Sequence, residues 1–336
     1  MNILVTGGAG FIGSNFIKYM LARYDYRIIN IDALTYAGNL ENLKDIETHQ
    51  RYHFVKGDIC DRGLVEELFE KYKINSVINF AAQSHVDRSI EDPEIFLRTN
   101  VFGTQILLEV SKDNWKTEVA AFMDGVRFIQ ISTDEVYGTL GKDGYFTERT
   151  SLAPNSPYSA SKAAADFMVR AYFETYGLPI NITRCSNNYG PYQHPEKLIP
   201  LTIKNAMMEK AIPIYGDGRQ IRDWLYVLDH CRAIDMILHK GKLGEVYNIG
   251  GNNEKINVEL VKLILSYLEK SEDLLCYVQD RLGHDRRYAI DNFKITNELG
   301  WRPLYTFEEG IKRTIDWYKE NADWFEDASS FSYVFK

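Results

Sequence analysis

Through its first half the chain alternates short apolar runs with helix-like segments, and this constrains the fold more than any other feature. The runs are NILVTG (2–7), RIINID (27–32), YHFVKGD (52–58), SVINFAA (76–82) and RFIQIST (127–133). They are apolar throughout rather than in alternation, as in strands covered on both faces, and strands separated by helices build a parallel sheet. INITRCSNNYG (180–190) reads as one more strand. The expected fold class is α/β, with a doubly wound parallel sheet.

After Gly190 the texture changes. Loops rich in Pro and Gly follow (GPYQHPEKLIP, IYGDGRQIRDW), with a short strand in EVYNIGG and two late helices. This predicts a smaller C-terminal lobe against the carboxyl edge of the sheet, where open α/β sheets bind ligands. A helix is expected from about Ser14, and the tail SSFSYVFK (329–336) reads as loosely held.

VTGGAGFIG places Gly7, Gly10 and Gly13 between the first strand and the first helix. Without side chains there, backbone N–H groups can approach a pyrophosphate at the positive helix end. The next strand ends in Asp32, suited to accept hydrogen bonds from an adenine-ribose diol and unfavourable to a 2′-phosphate. The pair predicts NAD rather than NADP. The sheet is therefore expected to be of the Rossmann type, with residues 1–190 binding NAD, helped by later segments, and 191–330 mainly binding substrate.

Asp58 and Ile59 follow the third strand, where an acid can meet an adenine edge and an isoleucine its face; the alternative for Asp58 is a turn or helix cap. In SPYSASK (156–162), Ser156 is suited to cap a helix and Pro157 to its first turn. Tyr158 and Lys162, at i and i+4, share one face. There the ammonium, with oxidised nicotinamide, would lower the phenol's pKa and let Tyr158 take an alcohol proton.

RFIQIST is followed directly by Asp134 and Glu135, two adjacent carboxyls at the end of a buried strand. Like charges in contact hold their last proton more firmly, which makes one acid and one base plausible. Neighbouring strand residues face opposite ways, so both can reach one substrate only if the strand ends by Thr133.

This layout resembles the short-chain dehydrogenases/reductases, in their extended, sugar-nucleotide-modifying branch, over residues 1 to about 325. TDEVYG (133–138) is similar to the signature of the nucleotide-sugar 4,6-dehydratases. So are LTYAGN (34–39), SHVDRS (84–89), RCSNNYGPYQ (184–193), EKLIPL (196–201), GDGRQIRDWLYV (216–227) and GHDRRYAID (283–291). The resemblance implies an NAD-retaining hydro-lyase acting on dTDP-glucose for deoxysugar biosynthesis, and a homodimer paired through the helices after NVFGT and SPYSASK. It assigns Tyr158 to the 4-hydroxyl proton, Thr133 to the 4-oxygen, Glu135 to the C5 proton and Asp134 to the departing 6-hydroxyl. It adds Phe11, Ile12, Leu34, Thr35, Ala81, Ala82, Ser84, Thr99 and Cys185 as cofactor contacts. Ser84, His85, Asp87, Asn188, Leu198, Asn257 and Tyr288 become substrate contacts, and Lys197, Arg222 and Arg287 would pair with the diphosphate. Tyr215 reads either as a ring stacked on the base or as packing. Rival readings keep the fold with another outcome: a UDP-sugar 4-epimerase or decarboxylase, or a non-catalytic dinucleotide sensor.

The chain departs from the family pattern at Gln83, His194 and Leu282, none of them in the proton-transfer set. The connection SKDNWKTEVAAFMDGVRF (111–128) has no derivable purpose. With 39 basic against 47 acidic residues and a net charge of −8, the chain lacks the basic run that nucleic acid or anionic lipid would need. Cys60, Cys185, Cys231 and Cys276 lie far apart, which predicts reduced thiols and no metal site. A strand at the very start and no run of membrane-spanning length predict a cytoplasmic protein without a membrane partner.

Overall fold

The structure, a computed structural model, describes residues 1–117, 121–280 and 284–324. Its strands are β1 (Asn2–Thr6), β2 (Arg27–Asp32), β3 (Tyr52–Lys56), β4 (Ser76–Asn79), β5 (Arg127–Thr133), β6 (Ile180–Cys185), β7 (Asn187–Tyr189), β8 (Ile212–Tyr215), β9 (Ile221–Tyr226), β10 (Val246–Ile249), β11 (Glu254–Ile256) and β12 (Leu275–Val278). Seven of them form one parallel sheet in the order β10-β6-β5-β4-β1-β2-β3. The order reverses between β1 and β4, the switch point at which doubly wound sheets open a ligand crevice.

The helices are α1 (Phe11–Arg23), α2 (Arg62–Tyr72), α3 (Val86–Glu91), α4 (Pro93–Phe96), α5 (Thr104–Trp115), α6 (Pro157–Tyr176), α7 (Leu198–Met207), α8 (Val227–Lys240), α9 (Asn257–Tyr267), α10 (Phe293–Leu299) and α11 (Phe307–Glu320). Both faces of the sheet are covered, which is why its strands are apolar throughout. On β1, Ile3 and Val5 join a core with Phe16 and Ile17 of α1 and Ile234 of α8. Leu4 between them joins the opposite core, with Leu68 of α2, Leu107 of α5 and Val169 of α6.

Three sequence expectations change. Helix α1 starts at Phe11 rather than near Ser14, because the glycine turn supplies its first carbonyl: Ser14 N–H donates to Gly10 at 3.0 Å. INITRCSNNYG is two strands broken at Ser186, β6 in the large sheet and β7 in a three-stranded sheet of order β11-β9-β7. EVYNIGG supplies β10, which extends the large sheet beyond β6 instead of belonging to the smaller lobe. That lobe holds the three-stranded sheet, the β12-β8 pair and α7, α9 and α11, around a core including Tyr189, Ile199, Leu260 and Ile311.

The connection at 111–128 begins as the end of α5. There Trp115 is fully buried and its indole N–H donates to the Ile74 carbonyl at 2.8 Å. Its residues 118–120 lie outside the described residues, as do Leu282 and the tail at 329–336. Among the described residues no helix is long and apolar enough to cross a membrane.

Candidate active site

At the carboxyl ends of the sheet strands lies a cleft of about 330 Å³. Gly7 opens it in a left-handed conformation (φ +66°), and a Cβ there would sit 2.7 Å from the Ala81 backbone nitrogen. A Cβ on Gly13 would come within 2.5 Å of the Gly7 carbonyl. Only glycine therefore permits this turn, and α1 presents its free N-terminal N–H groups behind it.

The cleft is lined by Gly7, Gly10, Phe11, Ile12 and Gly13, by Asp32 and Thr35 after β2, and by Asp58 and Ile59 after β3. Ala81, Ala82, Ser84, Thr99 and Cys185 line it as well. Asp32 is buried, its oxygens accepting the N–H groups of Ala9 (2.9 Å) and Leu34 (2.8 Å), and burial pushes its pKa up. Leu34 itself packs against the core and stays outside the lining, holding the strand end in a left-handed turn (φ 52°). Asp58 both lines the cleft and closes a turn, accepting Cys60 N–H at 2.9 Å. A glycine turn, a carboxylate at the second strand end and small residues at the fourth suit a dinucleotide without 2′-phosphate.

The strand β5 ends at Thr133, and a 3₁₀ turn takes over at Asp134–Tyr137. Thr133 Oγ1 caps that turn by accepting Glu135 N–H at 3.2 Å. The strand's alternation stops one residue before the carboxyls, so Asp134 and Glu135 line the same cleft with Thr133. Asp134 is 2% exposed, and its Oδ2 has no hydrogen-bond partner among the described residues. Burial raises its pKa well above the usual carboxylate range, Glu135 and Asp223 add to the rise, and Arg222 opposes them.

Ser156 and Ser159 form a reciprocal capping box at the start of α6, with Pro157 in its first turn. One turn in, Tyr158 and Lys162 are both buried and both line the cleft. The Lys162 ammonium donates to the Ile131 carbonyl at 2.6 Å, and burial lowers its pKa. Burial also lifts the Tyr158 phenol well above its ordinary value, and Glu135 adds to that. The expected depression of this phenol by Lys162 is thus outweighed here by desolvation and a carboxylate neighbour.

A second cavity of about 200 Å³ adjoins the first, and Ser84, Glu135, Asn187, Gln193, Glu196 and Lys197 line both. His85, Leu198, Tyr215, Arg222, Asn257 and Tyr288 line the second cavity, and Asn188 the first. The Arg222 guanidinium donates to the Ile221 and Asp285 carbonyls and lies 4.3 Å from the Tyr288 ring centre. Asp87 and Arg287 line neither cavity. Asp87 sits in the first turn of α3, and Arg287 makes a two-pronged pair with Glu254 of β11 (2.6 and 2.8 Å).

Several lining residues escaped the sequence reading. Asn187 Oδ1 and Gln193 Oε1 are buried acceptors without a hydrogen-bond partner among the described residues. Tyr36 donates to or accepts from Ser84 Oγ at 2.9 Å and meets His194 edge-on, and burial pushes its phenol up. His194 is itself held down to about 4 by burial, so it is neutral near pH 7. The signal was present in the quoted RCSNNYGPYQ and LTYAGN stretches, but amides and tyrosines carry no spacing rule.

The family model of GDP-mannose 4,6 dehydratase matches residues 4–314. A dTDP-glucose 4,6-dehydratase of Xanthomonas campestris pv. campestris (strain B100) is 55% identical over 98% of this chain and 96% of its own length. Among solved structures, the dTDP-glucose 4,6-dehydratase of Bacillus anthracis in complex with NAD is 55% identical, with a TM-score of 0.89 over 98% of this chain and 99% of that one. The dTDP-glucose 4,6-dehydratase of Streptomyces venezuelae, solved with NAD and TYD bound, is 47% identical, with a TM-score of 0.92 over 98% and 100%. The chain belongs to the GDP-mannose 4,6 dehydratase family and, within it, to the dTDP-glucose 4,6-dehydratases.

Proposed function

We propose that this chain converts dTDP-glucose to dTDP-4-keto-6-deoxyglucose where its two cavities meet. One observation carries the reading: β5 stops at Thr133, so Asp134 and Glu135 enter the same cleft as Tyr158. Epimerisation at C4 needs the tyrosine alone, whereas losing water across C5 and C6 needs an acid and a base beside it.

NAD, held by the glycine turn and Asp32, supplies the acceptor that takes hydride from C4 and returns it to C6. Tyr158 removes the 4-hydroxyl proton while Thr133 donates a hydrogen bond to the 4-oxygen. A phenol raised by burial needs positive charge nearby to act as a base, which the Lys162 ammonium and an oxidised nicotinamide provide. The 4-ketone acidifies C5–H, and Glu135 takes that proton. Asp134, whose pKa burial and neighbouring carboxylates hold high, is protonated and donates to the leaving 6-hydroxyl. Water departs, hydride enters at C6, and Glu135 returns a proton to C5.

The orphaned acceptors Asn187 Oδ1 and Gln193 Oε1 at the junction suit sugar hydroxyl donors. Asn188, Lys197, Arg222 and Asn257 then surround the diphosphate, and Leu198 and Tyr215 the base, with Ser84, His85 and Tyr288 along the sugar. Leu34, Asp87 and Arg287 act from behind the lining. In this reading residues 1–190 with β10 and α8 carry NAD, and 191–330 mainly carry the nucleotide sugar. A homodimer paired through α5 and α6 would cover the exposed Leu97, Phe102, Phe167 and Tyr176. Dinucleotide chemistry on a sugar nucleotide supports a cytoplasmic setting.

The test offers purified protein dTDP-glucose or UDP-glucose without added cofactor and follows the absorbance that 4-keto-6-deoxy sugars develop in alkali. Signal from dTDP-glucose alone is expected. No signal with either substrate, even after NAD is supplied, would overturn the reading.

A further inference from the structure

Outside the proton-transfer set, one fully buried histidine touches the cleft through a single amide. His230 is the fourth residue of α8, which follows β9 without a break, and β9 pairs with β7 so that Leu225 lies opposite Asn188. The start of α8 is thereby brought to Asn188. His230 Nδ1 lies 2.9 Å from Asn188 Oδ1.

The geometry fixes both groups. Asn188 Nδ2 donates to the Ser186 carbonyl at 2.9 Å, and a carbonyl can only accept, so the Nδ2 side of the amide must face Ser186. The Oδ1 side then faces His230, and because an amide oxygen also only accepts, His230 must donate from Nδ1. Its Nε2 has no hydrogen-bond partner among the described residues, and the side chain is 0% exposed. A proton on Nε2 would be stranded without an acceptor, so Nε2 carries a lone pair and the ring is neutral. Burial alone pulls its pKa down to about 3, in line with that assignment. The same strand holds a second amide: the Asn188 backbone carbonyl accepts Gln193 Nε2 at 2.9 Å.

We infer that His230 is a positioning residue for substrate binding: as the Nδ1–H tautomer it provides, opposite the Ser186 carbonyl, the second hydrogen bond that holds the Asn188 amide in one orientation at the cleft wall. The inference rests on the reading of Asn188 as a contact of the sugar diphosphate. Without the imidazole the amide is held by the Ser186 carbonyl alone and loses its fixed orientation against the ligand.

The test is a double-mutant cycle on the holoenzyme with dTDP-glucose. His230→Leu should raise KM about tenfold with kcat within about threefold, the pattern of lost ground-state binding. His230→Asn, whose Nδ2 stands in for Nδ1–H, should stay within about threefold of the parent on the same scale. In an Asn188→Ala background, His230→Leu should add nothing to KM, because coupled residues do not contribute independently. Multiplying effects, or equal KM losses in His230→Leu and His230→Asn, would overturn the inference alone. An Asn188→Ala variant with unchanged KM would refute the placement of Asn188 and the inference with it. A further arm needs no destabilising variant: ¹⁵N-histidine spectra of the parent holoenzyme should show His230 protonated at Nδ1 and unchanged from pH 5.5 to 8.5, given a pKa of about 3. An Nε2–H tautomer would contradict it.

Discussion

Asp134 and Glu135 are adjacent, of one chemical type and in one cleft, yet the account gives them opposite protonation. Asp134 is buried, with an Oδ2 that has no partner among the described residues, whereas Glu135 lies at the junction of both cavities. Replacing either should cut kcat about 10²–10⁴-fold, the usual weight of a positioned acid or base. Solvent exchange separates them. In deuterated water Asp134→Asn should still exchange the C5 proton of recovered substrate, and Glu135→Gln should not; exchange in both or in neither contradicts the assignment. Stability supplies an independent sign. Because the folded pKa of Asp134 is raised, its favourable contribution is complete below its unfolded value, near pH 4, and is lost as pH rises through the folded value. Asp134→Asn carries no such loss, so it should melt higher than the parent at pH 8 by about 1–2 °C for each kcal/mol relieved, with the gap closing toward pH 4. At this scale the meeting of Thr133, Asp134, Glu135, Tyr158 and Lys162 in one cleft was legible because TDEVYG and YSASK carry strict spacing. Gln193 and Asn187 were not, since an amide becomes informative only when its neighbours fail to satisfy it. Arg287 could not be sorted from Arg222 because its partner Glu254 is 33 residues away in sequence and reaches it only through the folded β11.

At the scale of elements, sites form where strands stop. The glycine turn exists because β1 runs into glycines that pack against the Ala81 backbone, and Asp134 and Glu135 share one cleft because β5 gives way to a 3₁₀ turn capped by Thr133. Gly7→Ala would impose a Cβ at 2.7 Å from that backbone in a left-handed conformation. The variant should purify with less than about a tenth of the NAD released by the parent on denaturation, a loss of more than about 1.4 kcal/mol in retention. Parent-like NAD content would show that the turn is not the pyrophosphate site. The parallel strands were readable from apolar runs, as was the α6 cap from SPYS. The break at Ser186 was not, because INITRCSNNYG keeps strand composition across it and only pairing with β9 draws β7 into another sheet. β10 was misplaced for a similar reason: four residues do not reveal which sheet they join.

The whole molecule joins a seven-stranded parallel sheet to a smaller lobe, and β10 and α8, from the second half of the chain, pack with the large sheet. The apolar side chains of Phe102 and Phe167 are 53% and 57% exposed on neighbouring elements. Burying them in a symmetric pair removes that area from water, so Phe102→Glu with Phe167→Glu should convert a dimer to a monomer in sedimentation at micromolar concentration. An unchanged mass would place the interface elsewhere, or leave the protein monomeric throughout. The central claim is that one hydride leaves C4 and returns to C6 within a single closed site. Offering dTDP-glucose deuterated at C4 and locating the label in the product tests it most directly. The account predicts deuterium at C6, with C5 hydrogen drawn from solvent; label washed into water, or retained at C4, would contradict it.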